Sequence, residues 1–427
     1  MTISRRQLFG VAGASGLAAA GASRWWPEEA AVAASTLPAP GESGIEHVVV
    51  VMMENRSFDH FLGWLPGADG KQAGLTFTDR YGVPHDTHHL TAFDSCGFND
   101  PDHSWEGGRI QLNDGKCDGF LRSGRNDELA IGYYAQDDLP FFGHAAGDWT
   151  TFDRYFSAVM AETYPNRFYM HAARTDRIHN NTSQSKLPTI WDRLAAKGVS
   201  GTYYYSDVPF TALWYGKYVG ISKHFAQFVT DAAAGTLPAV SFIDPRFQDE
   251  ESGTSNDDHP HADIRAGQAF LNQVYDAVRN GPGWEKTVLV INYDEWGGFY
   301  DHVAPSHAPD VSARTSLRGF RVPALMISPR ARRGLVSHDV YDHTSILRMI
   351  EWRWGLKPLT ARDANARNIA EVLDFTNPPN LDSPTYTVPT VPTPGCAAQE
   401  AEAGKAEEAE WGAVRKLALD LGWRLPK

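Results

Sequence analysis

The sequence predicts an α/β protein with a mainly parallel central sheet and helices on both faces. Three observations carry the prediction. Apolar runs of strand length recur along the chain. Segments with helical 3-4 spacing lie between them, and that alternation is the pattern of a parallel sheet. Several runs also end in acids, and open α/β sheets bind ligands beyond the carboxyl ends of their strands.

The first run lies in "EHVVVVMMENRSFDHFLG", Glu46 to Gly63. Val48 to Met53 are continuously apolar, as expected for a strand covered on both faces. Glu54, Asn55, Arg56, Ser57, Asp59 and His60 follow. A helix cap at Asn55 or Ser57 accounts for one polar residue. An acid and an amide side by side at the strand end point to a functional site. Residues 63–161 are rich in Gly, Asp, His and aromatics. They read as long loops and short helices over one end of the sheet. "GTYYYSD" is a weaker strand, and "PAVSFIDP" a strand ending at Asp244. In "ADIRAGQAFLNQVYDAVRNGPG", Ile264, Gly267, Leu271, Val274 and Val278 share one helix face. Asn280, Gly281 and Pro282 stop that helix. "TVLVINYDE" is a strand ending in Asp294 and Glu295, and "VPALMISP" is another strand. "DHTSILRMIEWRWG" is a helix capped by Asp342 or Thr344 and closed by Gly355. The domain so defined runs over residues 44–375. A proline-rich linker occupies 376–396. The segment 397–427 holds an amphipathic helix through Trp411, Val414, Leu417 and Leu421, expected to pack on the domain surface.

The 427 residues carry a net charge of -13, with 42% hydrophobic residues. That composition is globular, and the charge argues against a nucleic-acid partner or simple adhesion to anionic lipid. Residues 1–33 read as a twin-arginine export signal. Arg5 and Arg6 precede a weakly apolar Gly/Ala-rich stretch, and Ala31-Val32-Ala33 offers a small-x-small cleavage site. The expected partner is therefore the twin-arginine export machinery. The expected location is secreted, periplasmic or at the cell wall, with no stable membrane span. Cys96 and Cys117 are close in sequence and are candidates for one disulfide, leaving Cys396 over.

The chemistry-bearing residues fall at strand ends and in His/Asp loops. Glu54 and Asn55 follow one strand, and Asp294 and Glu295 another. "DPDHSWEGG" supplies His103, "AETYPNR" supplies Thr163, "SNDDHPH" supplies His259, and "NYDEWGGFYDH" supplies His302. Carboxylates, an amide and imidazoles are the ligand types of a divalent metal in a hydrolase. A hydroxyl beside such a metal is a competent nucleophile. Trp105, Phe168, Tyr169, Trp296, Phe299 and Tyr300 flank these groups and are candidate walls for an apolar alcohol or a quaternary ammonium.

"MMENRSFDHFLG" resembles the signature of the bacterial phosphoesterase family that holds the non-zinc phospholipases C and periplasmic acid phosphatases. "TYPNRFYMHAA", "LVINYDEWGGFYDHVAP" and "YDHTSILRMIEWRWGL" resemble further blocks in the same order. The resemblance implies an alkaline-phosphatase-like fold and a divalent metal of unspecified identity held by Glu54, Asn55, Asp294 and Glu295. It places Thr163 at the nucleophile position. His103, His259 and His302 would line the phosphate pocket or protonate the leaving oxygen. Trp296 departs from the pattern, standing where relatives commonly have His. The activity implied is a phospholipase C acting on phospholipid or another phosphoester. An acid phosphatase is the alternative, and a non-catalytic lipid- or phosphate-binding protein a lesser one.

Overall fold

The Val48–Met53 run lies at the centre of an eight-stranded sheet in the computed structural model. The structure describes residues 37–248, 253–390, 395–396 and 405–426. In chain order the strands are β1 (His47–Met53), β2 (Thr150–Phe152), β3 (Gly201–Tyr205), β4 (Ser222–His224), β5 (Val240–Ile243), β6 (Thr287–Tyr293), β7 (Ala324–Ile327) and β8 (Val336–Ser337). Their order across the sheet is β8-β2-β7-β6-β1-β5-β3-β4. β7 runs antiparallel to both its neighbours, and every other pairing is parallel. β1 pairs with β5 and β6, with Val50 beside Phe242 and Val290, so its residues have neighbours on both edges and both faces.

The helices that matter here are α1 (Phe58–Leu62), α2 (Trp105–Leu112), α3 (Thr163–Ala172), α4 (Ile190–Lys197), α5 (Phe225–Ala233), α6 (Ile264–Arg279), α7 (His343–Trp354) and α8 (Lys405–Asp420). They cover both faces, as consecutive residues of β3 demonstrate. Tyr203 meets His171 of α3 at 6.0 Å, while Tyr204 meets Phe228 of α5 at 5.3 Å. The alternation of side chains along a strand sends the two tyrosines to opposite layers. The expected α/β sheet with helices on both faces is thus observed.

Local chemistry sets the helix ends. Ser57 caps α1 by accepting from the His60 amide. Asp342, rather than Thr344, caps α7 by accepting the Thr344 amide at 2.9 Å. Within this sheet three short strands escape the sequence reading: β2, β4 and β8. β2 lies inside the stretch expected to be loops. Two or three residues make no apolar run, so nothing in their composition marks them.

The cysteine expectation is corrected. Cys96 pairs with Cys396, across 300 residues of sequence, with Cα atoms 5.4 Å apart. Cys117 is buried and outside the bridge, against Phe77, Phe120 and Phe320. Proximity in sequence is a poor guide because the chain folds its tail back onto the loop that holds Cys96. The segment 1–33 lies outside the described residues. Among the described residues no helix is long and apolar enough to cross a membrane.

Candidate active site

Three neighbouring parallel strands each deliver an acid beyond their carboxyl end: Glu54 after β1, Asp244 after β5 and Asp294 after β6. All three meet one guanidinium, that of Arg167 on α3. Arg167 Nε donates to Glu54 Oε1 at 2.9 Å, and Nη1 to Asp244 Oδ1 at 3.0 Å. Nε also lies 3.3 Å from Asp294 Oδ2. Nη2 reaches the Met52 and Met53 carbonyls at the end of β1. All four side chains are buried. Burial opposes the Arg167 charge, but Glu54, Asp244 and Asp294 outweigh it and hold the group cationic. Burial raises Glu54 well above the usual carboxylate range against the pull of Arg167, and raises Asp294 to about 6.

Thr163 opens α3, and its hydroxyl donates to Glu54 Oε2 at 3.2 Å. The positive end of the helix dipole lies there, which favours charge build-up on an oxygen. Asn55 sits next to Glu54 with φ 56°, in the left-handed region that Asn tolerates better than most residues. Its backbone amide donates to Asp294 Oδ1 at 3.2 Å, coupling the ends of β1 and β6.

The turn after β6 explains its paired glycines. A Cβ on Gly297 would lie 2.2 Å from the Asn55 carbonyl oxygen, and one on Gly298 within 2.8 Å of the Pro101 and Asp102 backbone. Both have positive φ. Glycine therefore lets the β6 turn wedge between the Asn55 loop and the loop carrying His103. Glu295 Oε2 accepts the Gly297 amide at 2.8 Å, and Oε1 lies 3.9 Å from His103 Nε2.

His103 and His259 face each other with ring centroids 6.1 Å apart. Their nitrogens and an Asp100 carboxylate oxygen lie within 4.8 Å of one another. The His259 loop is tied to the end of β1, because the Glu54 amide donates to the Asp257 carbonyl at 2.9 Å. Asp257 Oδ1 accepts the His259 amide at 3.0 Å. A cleft of 260 Å³ opens over His103, Asp100 and Glu162, the residue before Thr163.

The fold thus gathers Thr163, Glu54, Asn55, Asp294, Glu295, His103 and His259. His302 belongs to a different network. It bonds Asp59 at 2.6 Å and Asp69 at 3.1 Å, and touches Arg321. The aromatic walls are corrected: Phe168, Tyr169, Trp296, Phe299 and Tyr300 are fully buried core residues. Trp105 is half-buried and carries the Arg109 guanidinium over its ring at 3.3 Å. Sequence reasoning assigned no role to Arg167, Asp244, Asp257 or Asp100. Asp244 carried the same strand-end signal as Asp294. His343 is placed by its neighbours: Nε2 contacts the Asp294 carbonyl at 2.7 Å and Nδ1 the Tyr155 hydroxyl at 3.2 Å. Burial lowers its pKa to about 4, so it is neutral and holds the β6 end in place.

The donors suit a divalent cation. Three buried carboxylates share one guanidinium, which leaves an excess of negative charge. Neither polar atom of the Asn55 side chain has a hydrogen-bond partner, and Asp294 Oδ2 accepts no hydrogen bond. Buried polar atoms left in this state need a ligand, and oxygen donors of this type favour hard divalent ions. The Asp100/His103/His259 group offers a second, nitrogen-containing set of donors at the mouth.

A buried hydroxyl against a carboxylate, with oxygen-rich strand ends and paired imidazoles, is the equipment of an ester-cleaving enzyme that works on a charged group. The profile of the Phosphoesterase family matches residues 45–357, and the chain belongs to that family. It is 32% identical to non-specific phospholipase C6 of Arabidopsis thaliana, over 82% of this chain and 76% of that protein. It is 31% identical to phospholipase C B of Mycobacterium tuberculosis, over 91% of this chain and 88% of that protein. Among solved structures it is similar to a protein in the alkaline phosphatase superfamily from Vibrio parahaemolyticus, with a TM-score of 0.40, 8% identity and 91% of each chain covered.

Proposed function

We propose that the protein is an exported, metal-dependent phospholipase C that works through a covalent phospho-threonine. The observation that carries this is the Thr163 hydroxyl at the start of α3, 3.2 Å from Glu54 Oε2. The names of its relatives support the substrate class. In the first step Thr163 Oγ1 attacks phosphorus and passes its proton to Glu54. The bond from phosphorus to the glycerol oxygen breaks, and diacylglycerol leaves with a proton from His103 or His259. Water then attacks phosphorus and gives a proton to that histidine, while the bond from phosphorus to Thr163 Oγ1 breaks and Oγ1 takes back the proton held on Glu54, releasing the phosphorylated head group and restoring all three side chains. Arg167 holds Glu54 and Asp294 in register, and Asn55 is poised to bind a non-bridging oxygen. A divalent ion held by Glu54, Asn55, Asp294 and Glu295 would supply charge neutralisation at the phosphoryl group. Export through Arg5 and Arg6 would bring the enzyme to its lipid substrate.

The deciding experiment compares kcat/KM on phosphatidylcholine and on p-nitrophenyl phosphate at one pH and metal concentration. Diacylglycerol release with weak monoester turnover is expected. Preference for the monoester, with no diacylglycerol formed, refutes the phospholipase reading in favour of a phosphatase.

A further inference from the structure

Arg56, the residue after Asn55, is fully buried. Its guanidinium lies 4.7 Å from the centroid of the Phe299 ring and 5.4 Å from that of Phe61. A buried cation is costly unless its donors are used. Arg56 Nη1 meets His60 Nε2 at 3.0 Å, and Nδ1 of the same ring meets the Gly132 carbonyl at 2.8 Å. A guanidinium only donates, so Nε2 is the acceptor and Nδ1 carries the proton. Burial and the neighbouring Arg56 charge keep that ring neutral. The rings and His60 thus hold Arg56 in one orientation, with Nε donating to the Asp258 carbonyl at 2.7 Å. Asp258 has φ 76°, a left-handed conformation sparsely populated by residues other than glycine. Two further contacts keep it there. The Tyr293 hydroxyl, at the end of β6, donates to Asp258 Oδ2 at 2.5 Å. On α6, a Cβ at Gly267 would lie 1.9 Å from Asp258 Oδ1, so glycine makes the room that this carboxylate occupies. The peptide bond fixed in this way is the one that carries His259. Nδ1 of His259 is bonded to the Pro260 carbonyl, and Nε2 lies 4.0 Å from Asp100 Oδ2 in the cleft.

We propose that Arg56 is a positioning residue for His259, and that His259 is the group that protonates the departing oxygen. The inference rests on the phospholipase C reading above and deepens it. His103 Nε2 faces Glu295, one of the residues proposed to hold the metal, at 3.9 Å. His259 Nε2 faces Asp100 instead, whose carboxylate favours the imidazolium form. The imidazolium gives its Nε2 proton to the glycerol oxygen as the bond from that oxygen to phosphorus breaks. Proton transfer needs the acid within hydrogen-bond reach of the oxygen, and a small displacement forfeits much of the gain. Without the guanidinium on its carbonyl, the Asp258–His259 peptide is free to rotate out of its left-handed geometry and take the imidazole with it.

The test uses the full chain and two phosphocholine diesters that differ in the leaving oxygen, p-nitrophenylphosphocholine and a short-chain, water-soluble phosphatidylcholine. p-Nitrophenolate departs at neutral pH without a proton, whereas the diacylglycerol oxygen needs one. Losing a well-placed acid therefore falls on the lipid and spares the nitrophenyl ester, while a general structural defect lowers both alike. Arg56→Met should lower the lipid-to-nitrophenyl ratio of kcat/KM by about tenfold or more. Arg56→Lys keeps a cation and a donor for the carbonyl, and should restore part of the ratio. Tyr293→Phe deletes only the hydroxyl on Asp258, and should move the ratio in the same direction as Arg56→Met. Thermal unfolding shows which variants are folded, and if Arg56→Met is not, Tyr293→Phe decides. An unchanged ratio in the folded variants, or an equal loss on both diesters, overturns the inference and leaves the phospholipase reading standing. A ratio that falls with His103→Gln and not with His259→Gln overturns it as well. Failure of the wild type to release diacylglycerol from the lipid overturns that reading and this inference with it.

Discussion

Replacing Arg167 by lysine should cost stability and rate together. The guanidinium serves Glu54, Asp244 and the Met52 and Met53 carbonyls by hydrogen bonds, and Asp294 by an ion pair. These acceptors come from three strands. Lysine keeps the charge but places its donors on one nitrogen, so it cannot span all three. At least two buried acceptors then lose their partner, at about 1–3 kcal/mol each, or about 2–6 kcal/mol together. With an unfolding entropy of ~2 cal/mol/K per residue, a chain of this size loses about 1 °C of Tm per kcal/mol. A fall of about 2–6 °C follows. Turnover of p-nitrophenylphosphocholine should drop at least about tenfold, because Glu54 and Asp294 lose their common anchor. Differential scanning fluorimetry and steady-state kinetics read the two effects. A folded Arg167→Lys protein with wild-type Tm and wild-type kcat would refute the role assigned to this cation.

Thr163→Ala should lower kcat by about 10³-fold with little change in Tm, whereas Thr163→Ser should retain much of the rate; phosphoryl trapping by mass spectrometry at another residue would contradict the assignment. Exhaustive chelation should abolish turnover and added divalent metal should restore it; full activity in a preparation shown metal-free by elemental analysis would end the metal proposal. Burial, reinforced by Asp363, pushes Glu351 up to about 9. A raised carboxyl pKa means stability is fully present below the unfolded value near ~4.5 and is lost as pH rises toward ~9. Glu351→Gln should flatten that decline and stabilise the protein by up to about 3 kcal/mol at pH 7, read as Tm against pH; an unaltered profile contradicts the burial argument. Reducing Cys96–Cys396 should lower Tm by an amount worth about 2–5 kcal/mol, and Cys396→Ser should already show the loss and respond no further to reductant.

Much of the fold was legible because a buried parallel strand announces itself. Val48–Met53 and Thr287–Tyr293 are apolar throughout and end in acids, so both the elements and Glu54, Asn55, Asp294 and Glu295 could be marked from the sequence. The direction of β7 could not. Ala324–Ile327 is apolar on both faces whichever way it runs, and only the connections decide that it is antiparallel. The flanking aromatics misled for a related reason. Trp296 and Phe299 are as suited to a substrate wall as to a core, and composition does not distinguish them.

What the sequence by itself determined is the alternation of strands and helices and the residues at the strand ends. These depend on neighbours a few positions apart, where periodicity and capping act. What only the tertiary structure decided is which distant groups meet. Arg167 joins three strand ends, Cys396 returns to Cys96, His302 joins Asp59 instead of Thr163, and α8 sets Trp411 beside Phe247. Each of these contacts spans dozens to hundreds of residues. Their partners are chosen by the packing of the whole chain, and no local pattern of charge or hydropathy encodes that choice.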